Sequence, residues 1–283
     1  MTTILFVPGN KIREFTRNLD QKKVSALLFD LEDSVKESHK DFARDSVKHY
    51  ISNLKEIQTK IYLRANNSSS IFWAKDIEMI QDIEIDGIVL SKVDLSNLPI
   101  YEAFIQQYNS VHNKNIDVIA AIETLKGYSQ RNQIMQSSID TYVLGYEDIS
   151  AELGIRRLSI YENNPLNRIL NDLYISARMN GRKMFAAVTP DVKVESLFEV
   201  ERESLFEKEM GLEGKFTIHP NQLEIVNSIF CYKHDLQNAY ETIRKFDSVT
   251  DGSQVIVNND GKMEDNPSVK RAKEIIMRYE ANE

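Results

Sequence analysis

Eight short apolar runs, each closed by a polar or turn residue and separated from the next by a longer polar stretch, organise this chain of 283 residues. They cover residues 4–7, 26–31, 61–63, 87–90, 118–122, 142–144, 184–188 and 215–218. Taken singly, runs of this length suit a buried helix as well as a strand. Their number and spacing decide between the two. The segments between them, among them residues 13–21, 39–54, 99–108 and 194–210, carry helix formers at helical spacing and are long enough for crossover helices. Near-continuous apolar strands alternating with helices imply parallel strands buried on both faces. Eight such units predict a (β/α)8 barrel, the TIM-barrel form of α/β architecture, with an open doubly wound sheet as the alternative. No glycine-rich phosphate or dinucleotide fingerprint follows any run, Pro8-Gly9-Asn10 included, which weakens the open nucleotide-binding sheet.

After Phe230 the alternation stops. Residues 235–246 read as a helix, 254–257 as a short apolar run, Asn258-Asn259-Asp260-Gly261 as a turn, and 270–279 as a closing helix rich in Lys and Arg. The expected organisation is a catalytic barrel over residues 1–229 and a helical and hairpin extension over 230–283, packed on the barrel or on a neighbouring subunit. The net charge of −8 argues against nucleic acid or an anionic membrane as the main partner. The single cysteine, Cys231, excludes an internal disulfide framework and is read as a buried, inert thiol. No run reaches membrane-spanning length and the N-terminus lacks a signal-peptide pattern, so the expected compartment is a reducing cytoplasm.

In a barrel of this kind, side chains at the C-terminal ends of the strands face the active site. Here they are Asp30, Glu32, Asp33, Arg64, Lys92, Glu123, Asp148 and His219. Glu123 and Asp148 each close an apolar run and are expected at the ends of strands five and six, close enough to share one cation. Magnesium uses one or two carboxylates and completes its octahedron with water and substrate. No His/Cys spacing suggests zinc, so magnesium, with manganese as the alternative, is the expected metal. The competing structural reading pairs one of these carboxylates with Lys92 or Arg64. Arg64 offers a planar fork for a substrate carboxylate; its competing role is an ion pair to Asp30, Glu32 or Asp33, and the two can coexist. Asp30, Glu32 and Asp33 are read as supports that orient Arg64 and metal-bound water. Lys40 and Arg44 are expected to pair with these acids or with solvent, and His219 to be a hydrogen-bonded structural histidine, with an acid or base as its alternative role. The chain has no Gly-x-Ser-x-Gly elbow and no plausible cysteine–histidine pair, so nucleophilic hydrolysis is not indicated.

Several motifs recur in one order: LFVPGN at residues 5–10, FDLEDSV at 29–35 with Lys40 and Ala43-Arg44, and LRAN at 63–66. AAIET at 120–124, GYEDIS at 145–150, GLEGKFTIHPNQ at 211–222 and GKMEDNP at 261–267 continue the series. With these, the chain resembles the citrate lyase β-subunit and malyl-CoA lyase group of the HpcH/HpaI aldolase superfamily. The resemblance implies a TIM barrel with a C-terminal extension, assembled as a homotrimer or homohexamer. It assigns Glu123 and Asp148 to magnesium, Arg64 to the substrate carboxylate, and Asp265 to an acid or base that enters a neighbour's site. The residues alone read Asp265 as part of a turn. The implied activity is a magnesium-dependent carbon–carbon lyase or aldolase acting on a small hydroxy or oxo acid, as a thioester of coenzyme A or an acyl carrier protein. A thioesterase, a malate-synthase-like condensing enzyme and a non-catalytic barrel subunit are the alternatives. Three departures put the substrate, more than the metal, in question: Ser91 stands for the family's usual proline, Thr189 at or near a common aspartate, and Tyr146 beside Asp148.

Overall fold

A computed structural model of the chain describes residues 2–17, 19–20, 23–53, 59–248, 255–257, 261 and 263–280. Eight parallel strands, β1 (Thr3–Pro8), β2 (Ala26–Asp30), β3 (Lys60–Arg64), β4 (Gly87–Leu90), β5 (Asp117–Ile122), β6 (Thr141–Leu144), β7 (Lys183–Phe185) and β8 (Lys215–Thr217), run in the order β7-β6-β5-β4-β3-β2-β1-β8. A parallel bridge between Ala186 and Lys215 joins the two ends of that order and closes the ring. The strands pair because each is apolar on both faces. All five residues of β2, ALLFD, are buried, and so are all four of β4, GIVL. Tyr62 occupies the end of the barrel opposite the rim, its hydroxyl donating to Asp117. Gly87 makes room for it, since a Cβ there would lie 2.6 Å from the Tyr62 ring.

The helices of this first unit are α1 (Ile12–Thr16), α2 (Lys40–Ser52), α3 (Trp73–Gln81), α4 (Leu98–His112), α5 (Leu125–Ser129), α6 (Arg131–Ile134), α7 (Tyr146–Glu152), α8 (Pro165–Met179), α9 (Leu197–Met210) and α10 (Leu223–Ile229). It spans Met1–Phe230. A second compact unit, Cys231–Glu283, holds α11 (Tyr232–Asp247), an antiparallel pair β9 (Ile256–Val257) and β10 (Met263–Glu264), and α12 (Asn266–Glu280). Among the described residues, no helix is long and apolar enough to cross a membrane.

Every predicted strand forms, with ends shifted by a residue or two. The largest difference is at β7, which stops at Phe185; residues 186–188 leave the ladder apart from the Ala186 bridge. Asp148, expected at the end of strand six, lies beyond it: β6 ends at Leu144, the chain turns at Gly145, and Asp148 sits in the first turn of α7. Cys231 is exposed rather than buried, because it occupies the N-cap position of α11. The turn expected at Asn258-Asn259-Asp260 and the start of the run at Gln254 lie outside the described residues.

Candidate active site

Strand register builds the centre of the site. Asp30 and Arg64 are Cα partners at the ends of β2 and β3, so their side chains leave the ladder side by side. Asp30 accepts from Arg64 Nε at 2.7 Å and Nη2 at 2.8 Å, and from the backbone N–H groups of Glu32 and Ser34. Its burial would raise the pKa, but the Arg64 charge and these donors prevail and hold it at about 2. The guanidinium has five N–H donors. Asp30 takes the Nε–Nη2 edge, so the terminal Nη1–Nη2 edge keeps hydrogens for a further acceptor. Nη1 faces Glu32 Oε2 at 3.3 Å, and the guanidinium carbon lies 4.9 Å from the centre of the Phe6 ring. Among the described residues, Glu32 Oε2 is buried without a hydrogen-bond donor, and burial pushes the Glu32 carboxyl above its ordinary range.

Beyond β4, Lys92 adopts a left-handed backbone with φ of 52°. For a residue with a Cβ this costs on the order of 1–2 kcal/mol. Its contacts offset the strain: the backbone N–H donates to Glu123 Oε2 at 3.0 Å, while Nζ lies 3.2 Å from Glu32, 3.5 Å from Asp33 and 3.7 Å from Asp148. Glu123 follows β5 and is 6% exposed. Burial first, and then repulsion by Glu32, push its pKa up to about 8. Its space depends on Gly145, where a Cβ would lie 2.4 Å from Glu123 Cγ.

Asp30, Arg64 and Glu123 line a cavity of about 340 Å³ together with Phe6, Phe15, Val188, Phe216 and Ile218, while Glu32 and Lys92 stand just behind its wall. Asp30, Asp33, Arg64, Glu123 and Asp148 all face it, so most of the predicted rim converges. His219 contributes structurally, its Nδ1 accepting the Asn221 N–H. Asp265 belongs to the second unit, where its backbone carbonyl accepts from Val269 in α12. Lys40 and Arg44 do not pair with the rim acids. Lys40 Nζ donates to the carbonyls of Leu31 and Glu32 and to Asn66 Oδ1, bracing the acidic loop from behind, and Arg44 pairs with Asp41 and Asp76.

A buried network behind α7 has no counterpart in the sequence reading. The Tyr146 hydroxyl donates to Glu207, which also pairs with Lys215; Arg157 grips Glu203 at 2.7 and 2.8 Å, and Thr189 donates to Glu203 at 2.6 Å. Thr189 is thereby occupied with α9. The signal available in the sequence was Glu203 and Glu207 one helical turn apart, with Lys215 opening an apolar run.

The donors available for a metal are hard carboxylate oxygens. Among the described residues, no three His, Cys, Asp or Glu side chains form an all-protein cage. Magnesium needs only one or two carboxylates. Glu123, with its ionised form disfavoured, beside Asp148 in a cavity where acids outnumber cations, fits such an ion.

The model of the HpcH/HpaI aldolase/citrate lyase family matches residues 2–220. The chain belongs to this family. It is accordingly an enzyme of the lyase class. It is 28% identical over 285 residues to the citrate lyase subunit beta of Haemophilus influenzae, covering 98% of this chain and 96% of that one. It is 26% identical over 286 residues to the (3S)-malyl-CoA thioesterase of Cereibacter sphaeroides, covering 99% and 94%. In fold it matches the CitE protein of Mycobacterium tuberculosis, solved with magnesium, acetoacetate and coenzyme A, at a TM-score of 0.75 and 22% identity over 98% of this chain and 97% of that one.

Proposed function

We propose that the barrel cleaves or forms a carbon–carbon bond in a small hydroxy or oxo acid carried as a thioester, with magnesium held by Glu123 and Asp148. The observation that carries this reading is the pairing of an electron-poor and an electron-rich half-site in one cavity. Arg64, fixed on its inner edge by Asp30, presents its terminal edge to a carboxylate. Glu123 and Asp148, which line the same cavity as Arg64, supply oxygens to a cation. Magnesium, when bound, would polarise the oxo group and stabilise negative charge developing as the bond breaks or forms.

The chain's own residues prepare that step. Arg64 orients the acid; Lys92 fixes Glu123 through its backbone N–H and places positive charge beside Glu32 and Asp148. The apolar side of the cavity excludes water around the reacting carbon. We assign proton transfer to Asp265 of a neighbouring subunit in a trimer or hexamer, with the 230–283 extension as the element that delivers it. The thioester carrier is coenzyme A, which the names of the Cereibacter relative and the Mycobacterium complex give for those proteins, or an acyl carrier protein. Exposed Lys11, Arg13 and Arg17 flank Phe15, which lines the cavity, and offer charge complementary to phosphates.

Glu123→Ala is expected to abolish metal-dependent turnover of a malyl- or citryl-type thioester while circular dichroism shows an intact barrel; undiminished turnover would sink the proposal. The thioesterase relative supports a second reading on the same site. Product analysis separates them: a lyase yields a shorter thioester plus an oxo acid or aldehyde, a thioesterase yields a free acid and the thiol.

A further inference from the structure

The polarity of the cavity is divided around the ring of strands. Its charged groups come from β2 to β6 and the segments that follow them: Asp30, Asp33, Arg64, Glu123, Glu147 and Asp148. The arc formed by β7, β8 and β1 contributes Val188, Phe216, Ile218 and Phe6, and Phe15 of α1 lies with them. The polar side chains of that arc are engaged elsewhere: Lys215 is fully buried on Glu207 and Thr189 donates to Glu203, both on α9.

We propose, building on the oxo-acid reading above, that the acid held by Arg64 is a 2-oxo monocarboxylate whose remaining substituent is apolar, and that the site discriminates against a second carboxylate. The argument is a balance of charge and solvation. Arg64 is the one cation among the described residues that line the cavity, and Asp30 already takes one of its edges. Lys92, just behind the lining, is shared among Glu32, Asp33 and Asp148. A second substrate carboxylate would therefore lie either against Phe216, Ile218 and Val188, losing its hydration with no partner, or beside Glu147, which repels it. An alkyl group in the same place buries apolar surface on that wall at about 0.8 kcal/mol per methylene.

The test is calorimetric titration of the full-length protein, with magnesium present, using pyruvate, 2-oxobutyrate, 4-methyl-2-oxopentanoate and oxaloacetate. The branched acid matches oxaloacetate in shape without its second charge, which separates charge from size. The expected result is 2-oxobutyrate binding at least about tenfold more tightly than oxaloacetate, roughly 1.4 kcal/mol. Placing a cation on the apolar arc with Ile218→Lys is expected to shrink that ratio at least about fivefold. Oxaloacetate binding as tightly as, or more tightly than, every monocarboxylate overturns the inference and leaves the oxo-acid reading standing. Failure of all four acids to bind with magnesium overturns the oxo-acid reading and this inference with it.

Discussion

Gly145→Ala isolates the geometry of the proposed metal site from its charge. The backbone at Gly145 has φ −80° and ψ 96°, which alanine adopts without strain, so the effect is one of packing alone. The new methyl would sit 2.4 Å from Glu123 Cγ, 2.8 Å from Oε1 and 3.1 Å from Cδ. Carbon atoms in contact settle at about 3.5–4.0 Å, so relief requires a movement of roughly 1 Å. Glu123 has little freedom to give it, being buried and held at Oε2 by the Lys92 N–H. If α7 retreats instead, it carries Asp148 with it. Either way the two carboxylates change their separation. Overpacking of this kind costs about 1–3 kcal/mol, and for a chain of this size each kcal/mol lowers the melting temperature by about 2–4 °C. Magnesium demands near-ideal octahedral geometry, so its affinity should fall on the order of 10- to 100-fold. The assay is thermal unfolding with and without magnesium, alongside calorimetric titration of the metal. Glu123→Gln is the matched control: it keeps the shape and the acceptor for Lys92, so it should lose metal binding without the drop in melting temperature. Wild-type affinity and stability in Gly145→Ala would refute the reasoning.

Two further outcomes follow from the charges and from the extension. Glu123 titrates at about 8, above its ordinary value of 4.5, so the folded state holds its proton more tightly than the unfolded chain. Its contribution to metal-free stability is therefore fully present below 4.5 and lost as pH rises through 8, while magnesium requires the ionised carboxylate and gains affinity over the same window. The rise in melting temperature on adding magnesium should be larger at about pH 8.5 than at about pH 6.5, and an equal or smaller rise there would contradict the assignment. If Asp265 acts on a neighbour, co-expressed Asp265→Asn and Glu123→Gln subunits should regain activity, since sites built from two chains are then restored. Random mixing in a closed ring predicts about one quarter of the wild-type rate, and no recovery would remove Asp265 from the neighbour's site.

The strands were legible because parallel strands buried on both faces must be apolar throughout, and runs such as ALLFD and GIVL leave few other fates. The place of Asp148 was less so. Tyr146 extends the apolar run past Leu144, yet it is buried by packing into the wall as the first residue of α7, its hydroxyl satisfied by Glu207. An alternation of burial cannot reveal that the chain has already turned. Lys40 and Arg44, expected to pair with the rim acids or with solvent, turn inward instead: Lys40 buries its stem to reach two backbone carbonyls, and Arg44 is buried on Asp76. The pairing of Glu207 with Lys215 and of Arg157 with Glu203 joins elements distant in sequence, and local pattern carries no information about which charge will meet which.

These buried pairs explain how two repelling carboxylates are kept facing one cavity. Glu123 is held from the β4 side, by a lysine whose left-handed backbone aims an N–H at it. Asp148 is held from the opposite side: Tyr146 ties the first turn of α7 to Glu207, and Arg157 reaches both Glu147 at 3.4 Å and Glu203 on α9. Without such anchors the first turn of α7 could swing away and relieve the repulsion at little cost. With them, Glu123 and Asp148 stay on one cavity wall, so the metal-free barrel is expected to bind magnesium at the proposed site with little rearrangement of backbone. The same anchoring draws the polar groups that follow β7 and open β8 outward to α9, and thereby leaves the apolar arc proposed to receive the substrate's substituent.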